Sequence, residues 1–130
     1  MQMIPKQFKT VAIAAPAGPL AAERFADGVE WLRRAGREVK IMPHVNGPSP
    51  APYLAASARA RAEDLAAAWL DPEVDLLLAA RGGFGSAQLL ELLDWRALAG
   101  RQHLPLVGYS DITALHTSIN KLCGFITFHG

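Results

Sequence analysis

The residues best suited to chemistry lie in two stretches. In "LPLVGYSDITALH", residues 104–116, an apolar run stops at Gly108 and a helical pattern restarts near Asp111. Tyr109 and Ser110 stand on the turn between them. A serine there projects its hydroxyl outward, and the helix N-terminus behind it favours developing negative charge. The amide of Asp111 is then placed to donate to an oxyanion, as acyl transfer to a serine requires. The plainer alternative is that Ser110 or Asp111 is an N-cap, a role both residue types favour. The strict G-x-S-x-G elbow is absent, because Ile112 and Thr113 follow instead of glycine.

The second stretch is "ARGGFGS", residues 80–86. Gly82, Gly83 and Gly85 let the backbone approach a ligand without side-chain clash. A glycine-rich strand-to-helix turn often cradles phosphate, but the Walker lysine and the G-x-G-x-x-G spacing are missing. The same turn can supply a second oxyanion donor, and Arg81 can bind a substrate carboxylate. The structural alternative is tight strand–helix packing with an arginine on the rim.

A serine nucleophile needs a base and a group that orients it. His116 is six residues past Ser110 and rotated off its direction on a helix. His129 can face the crevice or serve the structure, His44 can line the site after the second strand, and His103 falls in a polar loop. No acid is evidently paired with any of them. A nucleophile and an oxyanion hole are present without a convincing base.

The elements that must position these residues alternate along the chain. "TVAIAAP" reads as a strand buried on both faces, followed by a helix placing Phe25, Val29 and Leu32 on one side and ending at Gly36. "REVKIMPHV" is a second strand and "NGPSPAP" a loop. Leu54, Ala58, Ala62, Leu65 and Trp69 then stripe a long helix. "VDLLLAA", "LPLVGY" and "FITFHG" are further strands. Between them lie one helix over "GSAQLLELLDWRAL" and another striped by Ile112, Leu115, Ile119 and Leu122. The fold class expected is α/β, a parallel sheet of about five strands with helices on both faces. That is a flavodoxin-like or class I glutamine amidotransferase-like arrangement. Ligands then bind beyond the carboxyl ends of the strands, where "APAGP", "ARGGFGS" and "GYSD" lie.

The chain has 130 residues, 51% hydrophobic and 19% charged, with a net charge of +1, which suits one packed domain or a piece of a larger protein. No basic run exceeds two residues, so neither nucleic acid nor a membrane surface is indicated. The single Cys123 rules out a disulfide framework and a cysteine-based zinc site. The N-terminus loosely mimics a secretory signal, but Pro16, Gly18 and Pro19 interrupt the apolar run, and a cytoplasmic protein is expected. The sequence ends at an apparent strand, where domains rarely finish, so a second domain is expected beyond it.

Four motifs, "APAGP", "ARGGFG", "GYSDITALH" and "FITFHG", occur in the order found in LD-carboxypeptidases, and the chain resembles the N-terminal domain of that family along essentially its whole length. The resemblance implies a cytoplasmic serine hydrolase that removes the terminal D-alanine from murein tetrapeptides, without metal or organic cofactor. It implies Ser110 as nucleophile and backbone oxyanion donors at Asp111 and at Gly82 or Gly83, with Gly83 preferred. The glutamate and histidine of the triad would belong to a C-terminal domain outside residues 1–130, leaving this portion inactive alone. The full-length protein would be a homodimer. Phe84 stands where many relatives carry tyrosine. The competing expectation is a flavodoxin-like module holding phosphate or a nucleotide on "RGGFGS".

Overall fold

A computed structural model describes residues 4–101 and 103–130. Five parallel strands form one sheet in the order β2-β1-β3-β4-β5. They are β1 (Thr10–Ala14), β2 (Glu38–Ile41), β3 (Leu76–Ala79), β4 (Leu106–Gly108) and β5 (Phe128–His129). The chain leaves β1 in one direction to reach β2 and in the other to reach β3, so the switch point lies between β1 and β3, as in flavodoxin-like sheets.

β1 is buried throughout because its two sets of side chains feed different cores. Val11 and Ile13 meet Val29 and Leu32 of α1 (Ala22–Arg34) on one face. Ala12 and Ala14 join a larger core on the other face, with Leu65 and Trp69 of α2 (Ala58–Leu70), Leu98 of α3 (Trp95–Gly100), and Leu115 and Ile119 of α4 (Thr113–Cys123). Helices therefore lie on both faces, as expected, but unequally. On the α1 face Leu78 and Val107 are half-buried and Phe128 is exposed. A groove of about 820 Å³ runs there from Phe25 and Trp31 to Arg81 and Tyr109.

Three helices differ from the sequence expectation. α2 begins at Ala58, where the Ser57 hydroxyl accepts from the Ala60 amide. Leu54 is buried in the preceding loop and is not part of the helix. The single helix expected over residues 85–98 is broken into a 3-10 turn, Ser86–Leu89, and the short α3, capped by the Asp94 carboxylate on the Ala97 amide. Gly85, at φ +108, imposes the irregular start. Ile112 belongs to a 3-10 turn, Ser110–Ile112, ahead of α4. Leu122 is 51% exposed, while Cys123, four residues after Ile119, turns to the core and its thiol is pushed up by burial. Gly36, at φ +81, stands just past the end of α1 in the left-handed conformation expected of a terminating glycine.

Candidate active site

Three loops meet at the carboxyl end of the sheet. Residues 15–19 follow β1, residues 80–86 follow β3, and residues 109–112 follow β4. The first two are joined by the Gly18 amide donating to Gly82 O at 3.0 Å and by Arg81 Nη1 donating to Pro19 O at 2.7 Å. The second and third are joined by the Ser86 amide on Asp111 Oδ2 at 2.9 Å and by Ser86 Oγ donating to Asp111 O at 2.6 Å. Ser86 is fully buried at this joint.

Ser110 is the only non-glycine residue with positive φ among the described residues, at 58°. An L-residue is held there only when its surroundings over-determine the backbone, and such strain concentrates at functional sites. The surroundings are identifiable. Ser110 O accepts from Thr113 Oγ1 at 2.7 Å, and the Ser110 amide donates to His129 Nε2 at 3.3 Å. Gly82 packs against the residue, so that a Cβ at Gly82 would lie 3.4 Å from Ser110 Oγ. Ser110 is exposed, its hydroxyl carried on a strained strand-to-helix turn as in a nucleophile elbow, although the glycine pattern of that motif is absent.

Neither Ser110 nor Asp111 caps the helix. Tyr109 occupies the cap position of the 3-10 turn and Ile112 that of α4, and neither makes a side-chain cap bond. The Asp111 carboxylate is turned instead to the glycine loop. That contact leaves the phosphate-cradle reading without support. The glycine turn opens a four-residue 3-10 turn rather than a long helix, and its Ser86 amide already serves a carboxylate.

The histidines are engaged elsewhere. His116 Nε2 lies 2.8 Å from Gly108 O, which can only accept, so this nitrogen carries the proton. His103 is bound in the same way to Ile126 O. His129 does reach the serine turn, but its Nε2 lone pair serves the Ser110 amide rather than the hydroxyl. His44 corrects the sequence reading twice. It has an acidic partner, with Nδ1 2.8 Å from Asp64 Oδ1 and its amide 2.8 Å from Asp64 Oδ2. It also does not line the serine site, because β2 is three strand spacings from β4, roughly 14 Å.

Nothing in the local sequence marks Arg61 as a site residue. It is 1% exposed, beneath the glycine loop, and burial pulls its guanidinium below the usual arginine range, an effect that Asp111 opposes. Arg81 is exposed on the rim.

Residues 11–130 match the family model described as the LD-carboxypeptidase N-terminal domain. A putative carboxypeptidase of Streptomyces coelicolor is 43% identical over 121 residues, covering 92% of this chain and 39% of the relative. The murein tetrapeptide carboxypeptidase of Pseudomonas aeruginosa is 33% identical over 92% of this chain and 38% of its own length. Among solved structures, an MccF-like protein from Bacillus anthracis superposes with a TM-score of 0.86 at 28% identity, over 95% of this chain and 37% of that one. The muramoyltetrapeptide carboxypeptidase of Oxalobacter formigenes gives 0.80 at 28% identity, over 94% and 40%. The chain thus spans about two fifths of the length of these relatives.

Proposed function

The chain belongs to the LD-carboxypeptidase family, and on that premise we propose that it carries the nucleophile of a serine carboxypeptidase that releases the terminal D-alanine of murein tetrapeptide in peptidoglycan recycling. The observation that carries this reading is Ser110, held at φ 58 on an exposed turn against a glycine loop. Ser110 Oγ attacks the carbonyl of the L-centre that precedes D-alanine. Its proton passes to a histidine oriented by a glutamate, both supplied by a segment outside these 130 residues. The engagement of all four local histidines supports that assignment.

The tetrahedral oxyanion is held by the amides of Asp111 and Gly83, with Gly82 as the lesser candidate, each donor contributing about 3 kcal/mol. The histidine returns the proton to the departing amine, D-alanine leaves, and water hydrolyses the acyl-serine to free the shortened peptide. Arg81 at the groove's rim receives a substrate carboxylate. The reaction belongs in the cytoplasm, and the full-length protein acts as a homodimer. The 130-residue portion alone is expected to show no turnover.

The reading is tested by supplying the full-length protein with murein tetrapeptide and, separately, the tripeptide that lacks D-alanine. Release of D-alanine from the tetrapeptide, with the tripeptide accumulating unchanged, is expected. A tetrapeptide left intact contradicts it.

A further inference from the structure

Arg61 takes no part in the reaction above, yet it is the most buried charged residue among those described. Its Nε donates to Ala56 O at 2.9 Å, its Nη1 to Pro16 O at 2.7 Å and Gly85 O at 2.9 Å, and its Nη2 to Gln88 Oε1. All of these acceptors are neutral, so the burial of the cation is not offset by a direct ion pair. An apolar side chain of similar volume would fill the space without that penalty. The space is also tight, since a Cβ on Gly85 would stand 3.0 Å from Arg61 Nη1.

What the guanidinium holds is specific. Pro16 lies in the first site loop and Gly85 in the second. The peptide group that begins at Gly85 C=O ends at the Ser86 N–H, which donates to Asp111 Oδ2. A single peptide unit is therefore polarised between a buried cation on one side and a carboxylate on the other, an arrangement in which each hydrogen bond strengthens the next. Asp111 directly follows Ser110 and carries one of the proposed oxyanion amides. We infer that Arg61 is a positioning residue for the serine turn: through the Gly85–Ser86 peptide it fixes the Asp111 carboxylate and with it the Ser110–Asp111 backbone.

The inference rests on the function proposed above for its effect on turnover, but the link from Arg61 to Asp111 is readable without turnover. In Arg61→Lys the charge is kept, but one ammonium cannot reproduce the fork that spans Ala56, Pro16, Gly85 and Gln88. Gln88→Ala removes one acceptor from an exposed position and leaves the arginine in place.

Amide hydrogen exchange and tetrapeptide kinetics are measured on the full-length protein for the wild type and both variants. In Arg61→Lys the Ser86 amide should exchange about tenfold faster while those of Val11 to Ile13 stay within about twofold. Its kcat should fall about 30-fold with KM within about threefold, the pattern of a lost transition-state interaction rather than lost binding. Unchanged protection at Ser86, loosening of Ser86 only in step with β1, or a rise in KM with kcat preserved would each overturn the inference. If Arg61→Lys does not fold, Gln88→Ala carries the test, with about threefold faster exchange at Ser86 expected and unchanged exchange overturning it. A wild type that releases no D-alanine, with Ser86 still responding, would overturn the proposed function and leave the positioning link standing.

Discussion

The backbone of Gly82 touches Ser110 so closely that a Cβ on Gly82 would stand 2.9 Å from Ser110 Cβ and 3.0 Å from Tyr109 O. Neither neighbour is the far end of a flexible side chain, so Gly82→Ala must displace the serine turn or the glycine loop. Displacement of a nucleophile by about 1 Å costs on the order of 100-fold in rate. Gly82→Ala is expected to lose about that much kcat while remaining folded, measured by steady-state hydrolysis beside a thermal melt. Full activity in the folded variant would mean that the two loops need not meet.

The strain at Ser110 is separable from its chemistry. Ser110→Ala and Ser110→Gly both remove the hydroxyl, but only glycine relieves the φ of 58°. The glycine variant is expected to be more stable than the alanine variant by about 1 kcal/mol. Denaturant unfolding of the two proteins measures the difference. An alanine variant at least as stable as the glycine variant would show that the turn stores no strain.

Far from the site, Lys40 donates to Asp71 at 2.8 Å and to Glu73 at 2.5 Å. The Lys40 ammonium, and after it the Glu73 amide, hold the Asp71 carboxyl below its usual range. A carboxyl depressed in the folded state stabilises the fold above its unfolded pKa, near 4, and that contribution is lost as pH falls through the lower folded value. Lys40→Met should raise the Asp71 titration part of the way, because the Glu73 amide remains, and soften the acid limb of the stability curve. Carboxyl-detected NMR reads this shift, and an unmoved Asp71 titration would contradict the pairing. Both side chains are about a quarter exposed, so added salt should weaken the effect in part.

Much of the fold was legible because it follows from local pattern. The unbroken apolar run at residues 11–15 marks a strand buried on two faces, and the alternation of strands with amphipathic segments marks the parallel sheet. The meeting of Ser110 with the glycine loop was legible for the same reason, since both follow strands of one sheet. What escaped depends on contacts distant in sequence. The segment over residues 85–98 opens as a 3-10 turn at Gly85, and Ser86 at its start is tied to Asp111, 25 residues on, a contact that no local propensity records. His44 and Asp64 are 20 residues apart on different elements. Arg61 sits in a helix otherwise rich in alanine, where an arginine reads as solvent-exposed. Its burial follows from carbonyls brought in by Pro16 and Gly85.

The central claim is that Ser110 is the nucleophile, and the direct measurement is D-alanine release from murein tetrapeptide by the full-length protein and by its folded Ser110→Ala variant, side by side. D-alanine and tripeptide are expected in equal amounts from the wild type, with a fall in kcat of about four orders of magnitude or more in the variant. Comparable release from both proteins would contradict it.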